Sequence, residues 1–367
     1  MERFYNDSDL ELLKHTEKFN FLEKLDPFSL KKTNKIEEYE LHAPTEDNRF
    51  LHEAAIIEFK GVLYASWYNC EKFELKGRTP IRGRRSYDGG KTWSDVEVIA
   101  DDPSGNILFC PPVYGIDNGK LYMLLNEMVG PDLIHALDLY VLNEDTDRFE
   151  MLWSRPLPFK LNTNVYTLSN GKLMLPGRIA ELDGFPNTPA VLISDSGKID
   201  AEWRLVKIAE NGDLPNGKKL VHPELSAIID GETVYIFSRN DENRVPLLYV
   251  SYDNCETWSG LISHDIPFSN SKIYSGTLSN GRNYVIGNIY PKRTRLAILL
   301  TDKSSLKFNR GYLLQDNSSF DGYNGNQWSY PSAFEANGKL YVIYTADSDR
   351  CGGSRGAVLS VVPTDLT

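Results

Sequence analysis

The chain has 367 residues, of which 41% are hydrophobic and 25% charged, so it can bury a sizeable core. Its formal net charge of −11 argues against nucleic acid and anionic membrane surfaces as partners, because both require basic patches. The four cysteines lack the spacing of a metal site, and the sequence implies no metal or organic cofactor. Without a signal-peptide pattern we expect a cytoplasmic protein by default, or a secreted or periplasmic one if a signal was removed.

Residues 1–45 are predicted to form a partly helical N-terminal extension. Asp7 or Ser8 can cap a short helix, in which Leu10 and Leu13, together with Phe19, give a weakly amphipathic pattern. We expect this extension to form a lid or to cover an edge of the second domain, residues 46–367.

From residue 46 onward the chain repeats a unit of two apolar strands joined by a tight turn. Asn and Asp tolerate the left-handed backbone of such turns and glycine adopts it without steric cost, as in Asp117-Asn118-Gly119. One hairpin is not stable alone, and a repeat of 50 to 60 residues has room for four strands. The sequence therefore predicts an all-β fold, a six-bladed β-propeller, with one turn glycine per blade: Gly61, Gly119, Gly171, Gly231, Gly281 and Gly338.

A shorter motif recurs inside these units. The segments SYDGGKTW (residues 86–93) and SYDNCETW (residues 251–258) both fit the pattern S-x-D-x-x-x-T-W. Through this motif the chain resembles the sialidase (neuraminidase) superfamily, whose BNR repeats carry the Asp-box. The resemblance spans residues from about 50 to 365 and implies a propeller and an exo-acting glycoside hydrolase. We expect Asp88 and Asp253 to stabilise their own turns and to take no part in chemistry.

In a propeller the starts of the first strands and the ends of the second strands surround one central cavity. Many of these positions carry carboxylates, arginines, tyrosines or amides. Apolar side chains would be expected there if the residues served only to pack the centre of the propeller, because buried polar groups are costly. We predict that they bind a glycan. The first-strand positions are His52, Glu53, Asn164, His222, Glu224, Tyr274 and Tyr330, and the second-strand positions are Tyr68, Asn126, Arg178, Arg239 and Asn288.

The sialidase resemblance assigns roles to four residues. It implies that Tyr330 is the nucleophile and Glu224 the base that takes its proton, in a retaining mechanism. It also implies that Arg239 and Arg293 bind an anionic group on the sugar, since a guanidinium presents a planar pair of donors.

The chain departs from the family pattern in two places. It has Leu51-His52-Glu53 where the family has Arg-Ile-Pro, the source of a third substrate-binding arginine. The loop of residues 69–79 lacks the aspartate that serves the family as general acid but offers Glu71 and Glu74, of which we name Glu74 first for this role. Arg178 could meet an anionic or sulfated substituent, and the sugar itself stays open.

Two alternatives remain open at this point. The first is a polysaccharide lyase, or a glycosidase for a sugar other than sialic acid, with His52 or His222 as the base. The second is a carbohydrate-binding propeller without turnover. In each case the partner is a glycan or oligosaccharide, and the oligomeric state is not predicted.

Overall fold

The computed structural model describes residues 5–130, 133–180, 187–241, 244–317, 326–349 and 354–366. The N-cap of helix α1 (Asp7–Lys14) is Asn6. The cap therefore lies one residue before Asp7, the earlier of the two residues predicted for this role. The side chains of Asn6 and Asp9 each accept a hydrogen bond from the other's backbone N–H, which is a capping box. Within the described residues no helix has the length and apolar character needed to cross a membrane.

The remaining elements, apart from a 3₁₀ turn at Pro27–Ser29, are strands. The first strands are β1 (Glu17–Phe19), β2 (Glu37–His42), β3 (Phe50–Phe59), β4 (Val62–Cys70), β5 (Ile81–Ser86), β6 (Glu97–Ala100), β7 (Leu108–Phe109), β8 (Val113–Asp117), β9 (Lys120–Gly130), β10 (Leu133–Asn143) and β11 (Arg148–Arg155). The next are β12 (Phe159–Leu161), β13 (Tyr166–Thr167), β14 (Leu173–Ile179), β15 (Thr188–Ser194), β16 (Arg204–Lys207), β17 (Leu225–Asp230), β18 (Thr233–Ser238), β19 (Leu247–Ser251) and β20 (Ile262–His264). The last are β21 (Tyr274–Thr277), β22 (Arg282–Asn288), β23 (Arg295–Lys303), β24 (Phe308–Asp316), β25 (Gln327–Ala336), β26 (Lys339–Asp349) and β27 (Ser354–Pro363).

Hydrogen bonding joins these strands into five sheets. Four are blade-sized, with four or five strands each: β7–β11, β12–β16, β17–β20 with β1, and β21–β24. The fifth has eight strands, in the order β25-β26-β27-β3-β4-β5-β6 with β2 on β27. The prediction of six blades is therefore wrong: the described residues form four separate blades, and the first and last predicted units form one continuous sheet. The reason is that β27 pairs in parallel with β3 at Arg355 and Phe50.

Neighbouring sheets contact one another through their inner strands. Strand β3 contacts β8, β9 contacts β12, β14 contacts β17, β17 contacts β21, and β21 contacts β25; within the eight-stranded sheet, β25 contacts β3. The arrangement therefore closes on itself, and residues far apart in sequence face a common centre.

Apolar side chains fill the spaces between the sheets. For example, Phe237 and Leu248 of one blade pack with Val285 and Leu299 of the next. Burying such a side chain stabilises the fold by roughly 1.5–3 kcal/mol. The N-terminal segment joins this core, because Leu12 of α1 is fully buried in an apolar cluster and β1 and β2 each pair with a sheet.

The Asp-box carboxylates hold their own turns together. Asp88 accepts hydrogen bonds from the Thr92 backbone N–H (2.9 Å) and the Thr92 hydroxyl (2.7 Å), and Asp253 bonds to Thr257 in the same way. These hydrogen bonds lower the pKa of Asp88 to about 2. Both aspartates thus make the turn-stabilising contacts expected from the sequence.

Candidate active site

Charged and aromatic side chains line a central cavity of about 360 Å³. They come from different sheets, because the closed ring brings together the ends of strands that are distant in sequence. All three predicted catalytic residues lie here, and so do all of the predicted binding residues that are arginine, glutamate or histidine. The lining residues are His52, Glu53, Glu74, Leu75, Lys160, Arg178, His222, Glu224, Arg239, Arg293 and Tyr330.

Two of these residues lie at irregularities in strand pairing. Glu53 (φ 47°) and Tyr330 (φ 58°) both adopt the left-handed backbone region, where the register of β3 and of β25 shifts. This conformation costs a non-glycine residue roughly 1–3 kcal/mol, and it occurs at functional sites as well as in tight turns. The shifts, like β-bulges, redirect side chains, and here both residues line the cavity.

Arg239 connects the two main catalytic candidates. Its Nη1 donates hydrogen bonds to Glu224 Oε2 (2.7 Å) and to the Tyr330 hydroxyl oxygen (2.6 Å). Its Nε lies 2.5 Å from Asp241 Oδ1. Arg239 therefore links Glu224 to Tyr330. Its contacts with these two residues and with Asp241 use Nη1 and Nε of the guanidinium that was predicted to bind substrate.

The local charges set the protonation of this group. Burial alone would raise the pKa of Glu224, but the cations Arg239, Lys272 and Arg178 outweigh it and hold that pKa below its ordinary value. Burial raises the pKa of Tyr330 despite the opposing effect of Arg239. At neutral pH the site thus holds a carboxylate that can accept a proton and a neutral phenol that can lose one.

Two further cations surround the Tyr330 ring. The Arg293 guanidinium lies 5.2 Å from the ring centroid and Lys272 Nζ lies 5.8 Å from it. Lys272 also donates a hydrogen bond of 2.7 Å to Glu53 Oε2, and both side chains are only 7% exposed. Arg293, like Arg239, acts to lower the pKa of Tyr330 against the effect of burial and so favours a phenolate if one forms.

His52 packs against Tyr330 with ring centroids 4.0 Å apart. Its Nδ1 lies 2.8 Å from Thr345 Oγ1. Burial, reinforced by the surrounding cations, lowers the pKa of His52 well below its ordinary value. The ring is therefore neutral at neutral pH.

Glu74 lies at the edge of the cavity. Its Oε1 accepts a hydrogen bond of 3.0 Å from the Tyr68 hydroxyl, and its Oε2 is 4.0 Å from Arg355 Nη1. The Glu74 side chain is 47% exposed. Tyr68 does not line the cavity itself but contacts a residue that does.

His222 contacts a carboxylate that the sequence analysis did not select. Its Nδ1 lies 2.6 Å from Asp241 Oδ2, and its side chain is 38% exposed toward the cavity that it lines. Asp241 comes two residues after Arg239, in the segment that follows β18. Arg239 was the predicted end of a second strand, and the closeness of Asp241 to it was the signal that could have identified this residue.

Besides Tyr68, four predicted binding residues lie outside the cavity lining. Asn126 is fully buried and bonds to the backbone of Ala136, Phe159 and Leu161, while Asn288 donates to the Trp328 carbonyl. Tyr274 donates to the Ala333 carbonyl, and Asn164 lies between β12 and β13. The three side chains with described bonds connect strands to one another.

Two lysines of the site were also missing from the sequence analysis. Lys160 belongs to β12, which pairs with β14 at Arg178, and Lys272 lies two residues before Tyr274. Both residues are buried. No group of three or more potential His, Cys, Asp or Glu metal ligands comes together in the part of the chain that the structure describes.

The fold is that of known sialidases. It superposes on the Trypanosoma rangeli sialidase in complex with sialic acid (TM-score 0.69, 15% identity) over 92% of this chain and 60% of that one. The NanB sialidase of Streptococcus pneumoniae gives a TM-score of 0.66 at 11% identity, over 90% of this chain and 70% of that one. A protein of unknown function from Dyadobacter fermentans gives 0.68 at 14% identity, over 90% of this chain and 99% of that one. At these identities the likeness establishes the fold alone.

The fold and the Asp-boxes define a sialidase-like propeller protein. A family model described as a BNR repeat-like domain matches residues 63–342, which is most of the chain, and the chain belongs to this family. No significant match was found among curated proteins.

Proposed function

We propose that the protein is an exo-acting glycoside hydrolase that releases a terminal sugar with retention of configuration. The observation that carries the proposal is the hydrogen-bonded group of Tyr330, Arg239 and Glu224 in the central cavity. The structural neighbours include a sialidase in complex with sialic acid, which supports a glycan as the partner.

The proposed chemistry uses Tyr330 as the nucleophile. Its hydroxyl oxygen attacks the anomeric carbon while its proton passes to Glu224, and Arg239 stabilises the oxygen as charge develops. A neutral phenol suits a sugar that carries negative charge, because an anionic nucleophile would be repelled. Arg293 is the proposed contact for such a charge, and Glu74 is the carboxyl that the sequence suggests for protonating the leaving group.

A panel of chromogenic glycosides, including sialosides, uronides, fucosides and rhamnosides, tests this proposal. With the sugar that the wild type releases, Tyr330→Phe and Glu224→Gln should each lower kcat by at least about 10²–10⁴-fold. Tyr344→Phe is the matched control, because Tyr344 is a buried tyrosine that bonds to Ser360 away from the cavity. Wild-type rates in both active-site variants would refute the mechanism, and glycan binding without any product would indicate a binding protein.

A second candidate function, a polysaccharide lyase, is favoured by the His222–Asp241 contact. A histidine oriented by a carboxylate can remove a proton next to a uronic-acid carboxyl group. Its product would be unsaturated and would absorb ultraviolet light. Detection of that absorbance, with no oxygen from isotope-labelled water at the new reducing end, would replace the hydrolase proposal.

A further inference from the structure

The guanidinium of Arg239 is bound on two sides by side chains of the protein itself. Its Nη1 donates to Glu224 Oε2 (2.7 Å) and to the Tyr330 hydroxyl oxygen (2.6 Å), which uses both protons of this nitrogen. Its Nε, which has one proton, lies 2.5 Å from Asp241 Oδ1. The side chains of Arg239, Glu224 and Asp241 are only 10%, 5% and 13% exposed, so solvent screens these ion pairs little.

These contacts remove the arrangement with which a guanidinium binds a carboxylate best. That arrangement is bidentate and uses two neighbouring nitrogens, either Nη1 with Nη2 or Nε with Nη2. In Arg239 the first pair has Nη1 engaged by Glu224 and Tyr330. The second pair has Nε engaged by Asp241. Arg239 is therefore fixed to the nucleophile and its base, and neither pair of donors is complete for a substrate carboxylate.

A carboxylate on the anomeric carbon would meet unfavourable surroundings beside Tyr330. The carbon that the Tyr330 oxygen attacks lies next to Arg239, whose Nη1 is shared with the ionised Glu224. The two carboxylates would repel each other across one cation that both require. Lys272, the nearby ammonium, is already bound to Glu53 at 2.7 Å. This centre therefore suits a sugar that carries hydrogen, and not a carboxylate, on the attacked carbon.

Arg293 has a different set of contacts. Its Nη2 donates to the Asn270 carbonyl oxygen (3.1 Å), and its guanidinium lies 5.2 Å from the centroid of the Tyr330 ring. The contacts described for Arg293 include no carboxylate, and the residue lines the cavity. Arg293 lies over the Tyr330 ring, whereas Arg239 bonds to the hydroxyl oxygen. An acidic group bound to Arg293 is thus displaced from the bond that forms at the hydroxyl.

We propose that the released sugar is a uronic acid, an aldose with hydrogen on its anomeric carbon, whose carboxylate lies across the ring oxygen and is bound by Arg293. A carboxylate matches the planar donors of a guanidinium. This inference rests on the proposed function and names the substrate class of the same site. The roles of Tyr330 and Glu224 in breaking the glycosidic bond stay as proposed above.

Aryl glycosides that share one phenol test the substrate class. The series consists of uronides, the neutral hexosides of the same configuration, and the sialoside. The wild type should hydrolyse one uronide with a kcat/KM about 10–100-fold above that of its hexoside, the usual effect of a hydrogen bond to a charged group. It should release no phenol from the sialoside above the rate in buffer.

Arg293→Gln separates recognition of the acidic group from bond cleavage. It should bring the ratio of kcat/KM between uronide and hexoside close to one, mainly by raising KM for the uronide. Arg204→Gln is the matched control, because Arg204 bonds to Asp195 from the outer strand β16 and does not line the cavity. This control should keep the wild-type ratio.

Arg239→Gln should give the opposite pattern. It should lower kcat for uronide and hexoside by the same factor, so that their ratio stays that of the wild type. Burial raises the pKa of Glu224, but cations outweigh it and hold the pKa down, with Arg239 first, followed by Lys272 and Arg178. Removing Arg239 should therefore move the acid limb of kcat/KM to higher pH. Circular dichroism identifies a variant that fails to fold, and the substrate series with Arg293→Gln then decides alone.

Three results would overturn the proposal. They are hydrolysis of the sialoside as fast as any uronide, a wild type that prefers neutral sugars, and a folded Arg239→Gln variant that lowers the uronide-to-hexoside ratio while Arg293→Gln keeps it. Each of these leaves an active hydrolase and removes the inference alone. A wild type that hydrolyses no glycoside of any kind removes the proposed function together with the inference.

Discussion

The buried ion pair of Lys272 and Glu53 should be one of the most sensitive points of the site to mutation. The pair is 2.7 Å long with both side chains 7% exposed, and it lies beside Tyr330. Lys272→Met preserves much of the side-chain volume but removes the charge. It leaves Glu53 as a buried carboxylate without its ammonium partner, so the folded state should lose stability.

The size of the effect follows from the burial of the pair. Removing one partner of a buried ion pair costs about 3–5 kcal/mol. Unfolding entropy is about 2.1 cal/mol/K per residue, which for 367 residues gives roughly 0.8 kcal/mol/K. The Tm of Lys272→Met should therefore fall by about 4–6 °C.

Thermal unfolding followed by circular dichroism measures this shift. Lys60→Met is the matched control, because Lys60 pairs with Glu144 at 2.6 Å but the two side chains are 57% and 54% exposed. Its Tm should change by no more than about 1 °C. The double variant Lys272→Met/Glu53→Gln should recover part of the loss, since no charge remains buried. Equal shifts in Lys272→Met and Lys60→Met would refute the reasoning.

Three more variants test the account. Burial and the neighbouring Glu127 raise the pKa of Asp138 to about 7. The folded protein therefore keeps this proton at pH values where the unfolded chain has lost it, and the wild type should lose stability as the pH rises from about 4 to 7. Asp138→Asn should flatten this pH dependence of stability, measured by urea unfolding. The pKa of Asp88 is lowered to about 2, so its contribution to the stability of the fold is present above pH 4 and lost toward pH 2. The Tm of Asp88→Asn should therefore lie below that of the wild type above pH 4, and the difference should shrink as the pH falls to 2. Asn126→Ala should lower the Tm by about 2 °C or more through lost buried hydrogen bonds while KM stays unchanged, and a raised KM with normal Tm would contradict this.

The sequence predicted the strand-rich repeat because its signals are local. Asn118 and Gly119 adopt positive φ angles of 49° and 70° at the predicted hairpin turn, and the Asp-box turns form as expected. The number of sheets could not be predicted in the same way. It depends on a pairing between β27 and β3, whose residues Arg355 and Phe50 are separated by almost the whole chain.

The candidate site was predictable where position along a strand decides which way a side chain points. Glu224, Arg239 and Tyr330 follow this rule and meet in the cavity. Asn126 occupies a comparable position at a strand end, but its amide satisfies buried backbone groups, and periodicity alone does not distinguish these two uses. Asp241 and Lys272 were missed because their importance lies in their partners, His222 and Glu53, across loops of unpredictable geometry.

The most direct test of the central claim is to trap the covalent intermediate. A fluorinated analogue of the released sugar, with a fluoride leaving group and a second fluorine beside the anomeric carbon, should slow breakdown of the glycosyl enzyme. Mass spectrometry of the digested protein should then show one added glycosyl unit on the peptide that contains Tyr330, and no adduct in Tyr330→Phe. An adduct on Glu224 or another residue, or an active enzyme that gives no adduct and an inverted product, would contradict the account.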